Sequence, residues 1–123
     1  MLLRIDPESD APLFAQIAAS VRADAAAGRL VPGDRLPAAR DIASALGVNV
    51  HTVLHAYQDL RDEGLVELRR GRGAVVTAQA GALQHLHHDI HDLVTRARAA
   101  GLSPDALAAL VREAGRAEPK EHR

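Results

Sequence analysis

The stretch over 36–76 constrains the fold of this chain more than any other part of the sequence. It predicts a short helix over 38–46 and a longer helix over 50–63, because apolar residues recur there at helical spacing. Gly47 is the expected stop between the two helices, and Asn49 is placed to cap the second one. Two helices joined by so short a turn are typical of a helix-turn-helix.

The second half of the same stretch predicts a β-hairpin. Strands rich in Val and Leu are expected over 65–69 and 74–77, and the sequence Arg-Gly-Arg-Gly at 70–73 joins them as a tight turn. A helix-turn-helix followed by a hairpin is a winged helix-turn-helix, a fold whose common use is to read duplex DNA. The expected fold class is therefore mainly α with a small β-hairpin.

A further helix is expected ahead of these two, over 12–27. Asp10 is a favourable N-cap residue, Pro12 fits the first turn, and Gly28 is the expected left-handed stop. The loop that follows contains a Pro-Gly-Asp turn, and 34–36 is a candidate short strand. The helix carries an apolar stripe that should be buried, formed by Leu13, Ile17, Ala18, Val21 and Ala25.

The residues after the hairpin predict an α-helical tail of two helices, the second capped by Ser103. A hinge of small residues is expected over 78–81, so the chain divides into a DNA-binding domain over 1–77 and a tail over 78–123. Two helices are too few to bury their own apolar stripes, and packing against a second copy of the chain is the simplest solution. The predicted dimer interface consists of Leu83, Leu86, Ile90, Leu93, Val94, Leu107, Leu110 and Val111.

Composition argues against several classes of protein. The 123 residues contain no Cys, which rules out disulfides and cysteine-based metal sites, and no apolar run is long enough to span a membrane. The N-terminus lacks the basic and apolar regions of a signal peptide, so a cytoplasmic protein is expected. A phosphate loop, a Cys nucleophile and a supported carboxylate pair are all missing from the sequence, which argues against an enzyme, and no cofactor is expected.

The distribution of charge is more informative than its sum. The net charge is −1, and residues 1–77 hold nine Arg against ten acidic residues. Between Leu68 and Val75, however, three Arg occur without an acid. Fourteen of the fifteen basic residues are Arg, whose planar guanidinium suits bidentate contacts to phosphate or guanine. A local basic wing on a nearly neutral protein favours binding at one defined DNA site.

The segment PGDRLPAARDIASALGVNVHTVLHAYQDLRDEGLVELRRGRGAVV resembles the DNA-binding domain of the GntR family of bacterial transcription regulators. PLFAQI in the first helix, N-x-x-T-V and A-Y in the third, and the short two-helix tail are similar to its YtrA-like branch. The resemblance implies a homodimer that represses transcription by binding an inverted-repeat operator, in that branch often beside a transporter operon. Val50 stands where the branch usually has Pro, His51 replaces an Asn, and His55 stands where Arg is frequent, so the operator sequence stays open.

The candidate DNA-contacting residues lie in three places. By the resemblance, Arg40 matches a family arginine that contacts DNA, and the alternative is a surface arginine paired with an acid. The longer helix, over 50–63, is the recognition helix of the helix-turn-helix, and its exposed start should meet base edges. The hairpin is the wing, and its arginines should reach a narrow groove. Asn49 would also act as the N-cap, and Tyr57 is interpreted as a core residue. The predicted set is Arg40, Asn49, His51, Thr52, His55, Arg69, Arg70, Gly71 and Arg72.

Two other readings of the sequence stay open. His87 and His91 share a helix face, as metal-binding pairs do, and are weak candidates for a metal site, although no third ligand joins them at fixed spacing. The histidines of the tail could instead make a dimer interface sensitive to pH. A second class of function is a winged helix that binds protein rather than DNA, which the near-neutral charge and the His-rich recognition helix favour. A small-molecule effector is left unidentified, because the tail offers little room for a deep pocket.

Overall fold

The computed structural model describes residues 3–117, which form five helices and one antiparallel hairpin in the predicted order. Val66 pairs with Val76 at the base of the hairpin, and Arg69 pairs with Gly73 at its tip. The prediction of a mainly α winged helix-turn-helix with a helical tail is confirmed. The elements are α1 (Leu13–Ala26), α2 (Ala39–Leu46), α3 (Val50–Asp62), β1 (Val66–Arg69), β2 (Gly73–Val76), α4 (Gln79–Ala99) and α5 (Pro104–Ala117).

Helix α1 begins one residue later than predicted. Pro12 occupies the N-cap position in an extended conformation, and its carbonyl accepts the first bond of the helix, from the N–H of Gln16 at 3.1 Å. The prediction that Asp10 caps this helix is therefore wrong, because the extended Pro12 separates Asp10 from the first turn. Gly28 ends the helix with a φ of 81°, as predicted, since a residue with a Cβ would be strained there.

The core lies where α1 and α2 pack against the inner face of α3. Gly47 turns the chain between α2 and α3 with a φ of 69°, and the side chain of Asn49 accepts a hydrogen bond from the N–H of His51 at 2.8 Å. The predicted stop and cap are thus both confirmed. The most deeply buried side chains come from α1, α3 and β1 and include Ile17, Val21, Val53, Leu60 and Val66.

The hairpin is bordered by a third segment of chain, residues 33–36. The N–H of Gly33 donates to the carbonyl of Val76 at 2.8 Å, the N–H of Val76 donates to Asp34, and the N–H of Leu36 donates to Ala74 at 2.8 Å. The short strand expected over 34–36 is reduced to a single bridge between Arg35 and Val75. Strand β2 is therefore hydrogen-bonded on both of its sides.

The segment 78–81 is not a hinge, and that prediction is wrong. Helix α4 begins at Gln79, and Ala80 is only 1% exposed within the core. Thr77 holds the start of the helix, because its hydroxyl accepts from the N–H of Gln79 at 3.2 Å and donates to the carbonyl of Gly64 at 2.6 Å. Alanine and glutamine favour helix, so the small residues here extend the helix into the core rather than loosen the chain.

The described residues form two compact units, one that ends at His87 and one that begins at His88. The first unit is the winged helix together with the first half of α4, whose Leu83 is half-buried against the core. In the second unit α5 begins at Pro104, where the Ser103 hydroxyl accepts from the N–H of Ala106 at 3.1 Å, as predicted. Over residues 3–117, no helix is long and apolar enough to cross a membrane.

Candidate nucleic-acid interface

A cleft of about 570 Å³ opens between the start of α2, the outer face of α3 and the hairpin. The turn between β1 and β2, with its flanking residues, forms one wall and is called the wing below, residues 69–73. Helix α3 contributes Leu54 and Gln58 to the opposite wall. Of the three places in which the sequence predicted DNA contacts, the wing lines the cleft. The predicted residues at the start of α3 are not among the residues that line it, and on α2 it reaches Ala39, the residue before Arg40. Four arginines line it, namely Arg35, Arg69, Arg70 and Arg72.

Three of the predicted arginines have side chains that are open to a ligand. Arg40, Arg70 and Arg72 are exposed, and within residues 3–117 their guanidinium groups form no hydrogen bond or ion pair. Arg69 differs, because its guanidinium lies 2.8 Å from the carboxylate of Glu67 on the same strand. A guanidinium without an internal partner keeps all five donors for an external anion, and the bidentate geometry of phosphate and guanine suits it.

Arg35 belongs to this surface although the sequence did not indicate it. Its Nε donates to the backbone carbonyl of Arg72 at 3.1 Å, so its side chain braces the tip of the wing. The available signal was the candidate strand over 34–36, which places Arg35 beside the hairpin if that strand pairs with β2. Spacing alone does not reveal this pairing, since 37 residues separate the two partners.

The start of α3 presents the predicted residues in different ways. Asn49 is exposed and uses its side-chain oxygen as the N-cap, His51 is exposed, and Thr52 is half-buried. His51 therefore projects from the first turn of the helix, where a recognition helix meets base edges.

The position of His55 differs from a simple outward-facing histidine. Its ring stacks on that of Phe14 in α1, with 3.7 Å between ring centroids and 13° between planes. Its Nε2 also lies 3.7 Å from a carboxylate oxygen of Asp59. The imidazole is thus held beside α1, and the middle of the outer face of α3 is left to Leu54 and Gln58.

Tyr57 forms part of the core behind this surface, as predicted. It is 4% exposed, and its hydroxyl donates to the carbonyl of Pro37 at 2.6 Å. Burial raises the pKa of Tyr57 to about 12, because the charged phenolate is poorly solvated there. Tyr57 thereby ties α3 to the segment that leads into α2 and fixes the back of the cleft.

The tail does not assemble a metal site within the described residues. His87 and His91 both take part in interactions of their own. In residues 3–117, no group of three or more His, Asp or Glu side chains is arranged to hold a metal ion.

The chain is similar to known transcription regulators over most of its length. The model described as "Bacterial regulatory proteins, gntR family" matches residues 13–76, which run from the start of α1 to the end of β2. The HTH-type transcriptional repressor YtrA of Bacillus subtilis (strain 168) is 30% identical over 118 residues, which cover 91% of each chain. YtrA from Sulfolobus acidocaldarius, described as a GntR-family transcription factor, has a TM-score of 0.60 at 37% identity over 80% of this chain and 99% of that chain. The DNA-binding domain of AraR in complex with operator ORX1 has a TM-score of 0.54 at 27% identity over 61% of this chain and 93% of that chain.

Proposed function

The chain belongs to the GntR family of bacterial transcription regulators, in its YtrA-like form, and we propose that it binds a duplex DNA operator as a homodimer and represses an adjacent operon. One observation carries the proposal. Arg40 on α2, together with Arg70 and Arg72 on the wing, presents exposed guanidinium groups that have no hydrogen-bond or ion-pair partner among residues 3–117. The proposed operon lies beside the gene of this protein, and transporter genes are its expected content.

The local arrangement of charge explains how a protein of net charge −1 would hold a polyanion. Four arginines line the cleft, and within the described residues only Arg69 is neutralised by a neighbouring acid, Glu67. In the proposed complex the start of α3, with Asn49, His51 and Thr52, enters the major groove. The wing, with Arg70, Gly71 and Arg72, follows the backbone into the adjacent minor groove, whose negative potential attracts arginine.

The proposed homodimer is supported by apolar side chains that the chain leaves uncovered. Leu86, Ile90, Leu93, Leu110 and Val111 are 40 to 57% exposed, and exposed apolar surface of this kind marks association sites. A twofold dimer would present two recognition helices and would therefore favour an operator with two inverted half-sites. Val94 and Leu107 are half-buried and would lie at the margin of this interface.

Selection of duplexes from a random pool tests the proposal directly. The purified protein should enrich one sequence with two inverted half-sites, centred about 10 base pairs or a multiple of that apart. The pool should be recovered at two salt concentrations, because phosphate contacts make specific binding weaken as salt rises. A protein that enriches no duplex over the starting pool contradicts the proposal and favours the alternative of a winged helix that binds protein.

A further inference from the structure

Two large apolar side chains are exposed within the arginine-lined cleft. Leu54 on α3 is 38% exposed, and Leu68 on β1 is 42% exposed. Neither belongs to the buried core, to which α3 contributes Val53, Ala56 and Tyr57. A surface designed only to hold phosphate would gain nothing from leucine, since apolar groups there displace water from charged oxygens without replacing its hydrogen bonds.

Leu54 occupies the centre of the outer face of α3. It lies one turn after Val50 and one turn before Gln58, and Leu54 and Gln58 both line the cleft. The neighbouring His55 is turned to Phe14 of α1, so its ring does not stand between Leu54 and an approaching ligand. Leu54 is therefore the apolar side chain that a groove would meet if α3 entered it.

The edges of base pairs in the major groove offer one prominent apolar group, the C5-methyl of thymine. We propose that Leu54 recognises a thymine in each half-site of the operator through this methyl group and thereby selects a T·A pair at that position. The inference rests on the proposed function, because it requires α3 to lie in the major groove of duplex DNA. It assigns a specificity-determining role to a residue that the DNA-contact prediction did not include.

Leu68 provides an internal comparison. It has the same side chain and a similar exposure, and it lines the same cleft, but it lies on β1 next to Arg69 and Arg70 rather than on the recognition helix. In the proposed complex it faces the sugar-phosphate backbone beside the wing. Its contribution to binding should therefore be independent of the base sequence.

Replacement of single thymines by uracil in the selected operator removes only the methyl group and tests the inference. Each half-site should contain one thymine whose single replacement lowers the affinity of the wild-type protein about fourfold. This factor corresponds to about 0.8 kcal/mol for one buried carbon. Leu54→Ala changes both protomers of the dimer and removes two such contacts, so it should bind the thymine operator about 15-fold more weakly or worse and should bind the thymine and uracil forms equally. Leu68→Ala should retain the full distinction between the two forms.

Each outcome bears on the inference. If no thymine-to-uracil replacement weakens wild-type binding, the inference is overturned whether or not the variants fold. If Leu54→Ala keeps the fourfold distinction, or Leu68→Ala loses it, the assignment to Leu54 is overturned. In both cases the protein still binds its operator, so the proposed function stands. If the wild-type protein selects no duplex at all, the proposed function fails, and the inference fails with it.

Discussion

The winged-helix unit, which ends at His87, buries many of its large apolar side chains, whereas the tail unit, which begins at His88, leaves most of its own exposed. In the winged helix, Ile17, Val21, Val53 and Leu60 are completely buried. In the tail, Ile90, Leu93, Leu110 and Val111 are 40 to 57% exposed, and no residue of α5 is buried. The first unit therefore contains the buried apolar side chains that stabilise the monomer. The second contains exposed apolar side chains that association with another molecule would bury.

The number of elements explains this difference. Three helices and a hairpin can surround a common interior, so each contributes an apolar face to it. The second unit consists of the end of α4 and α5, and two short helices bury little surface between them. Ala97 is the one residue of that unit that is buried within the described part of the chain.

Removal of the second unit should weaken operator binding more than any single substitution. A variant that ends at His87 keeps Ala80 and Leu83 on the core and should fold, but its operator affinity should fall by about 1,000-fold because two linked half-site contacts become one. A variant that ends at Thr77 loses both side chains and should in addition melt at a lower temperature. Sedimentation measures the association state of each variant, thermal melting its stability, and titration with operator DNA its affinity. A tight dimer of the variant that ends at His87 would contradict the proposed role of the tail.

A matched pair of leucine substitutions tests whether buried and exposed leucines contribute differently to stability. Leu60→Ala removes a completely buried side chain and should lower the free energy of unfolding by about 3 kcal/mol. Leu110→Ala changes a side chain that is 56% exposed and should alter the stability of the monomer by less than about 0.5 kcal/mol, while it weakens self-association. Urea unfolding at low protein concentration separates the two effects. Equal losses of monomer stability would show that the difference in burial has no energetic meaning.

The alkaline stability of the winged helix depends on Tyr57. Its pKa is raised from 10.0 to about 12 in the fold, so the contribution of Tyr57 to stability is fully present below pH 10 and is lost as pH rises from about 10 to 12. A shift of this size corresponds to about 3 kcal/mol. The chain contains one Tyr and no Trp, so tyrosinate absorbance follows this group alone.

Tyr57→Phe is the control for the alkaline transition. It loses the hydrogen bond to Pro37, which should cost about 1 kcal/mol at neutral pH, but it should unfold less steeply above pH 10. The same steep loss in Tyr57→Phe would assign the alkaline transition to another group.

The smallest effect on stability is expected for the arginines around the cleft. Arg40→Ala and Arg72→Ala should each weaken operator binding by about tenfold, because one contact to phosphate or base is lost. Both side chains are exposed and lack internal partners in the described residues, so the free energy of unfolding should change by less than about 0.5 kcal/mol. Arg112→Ala on the exposed surface of α5 is the matched control and should leave affinity unchanged. Unaltered affinity in both cleft variants would refute the proposed docking of the wing and α2.

Local sequence signals predicted most of the fold. Gly28 and Gly47 end their helices because each needs a left-handed backbone, and Asn49 and Ser103 cap theirs through side-chain oxygens. Such signals act within a few residues and can be read directly. The errors at Asp10 and at 78–81 arose where packing or proline geometry decided between two locally acceptable structures.

The candidate site was less predictable, because its composition depends on contacts between distant residues. The arginines of the wing were evident from the sequence, since they occur together. The stacking of His55 on Phe14 joins α1 to α3, and the bond from Arg35 reaches the wing across 37 residues. Leu54 was not identified because an apolar residue in a helix is expected to be buried, and only the fold reveals that it faces the cleft.

The segment 33–36 beside the hairpin has a consequence for solubility at high concentration. An exposed strand edge can pair with a strand of another molecule and so begin aggregation. On one side of the hairpin this edge is already occupied, because β2 is bonded to 33–36. On the other side β1 is only four residues long and carries Glu67 and Arg69. The wing can thus project into solvent with its tip open while both of its edges resist the addition of further strands.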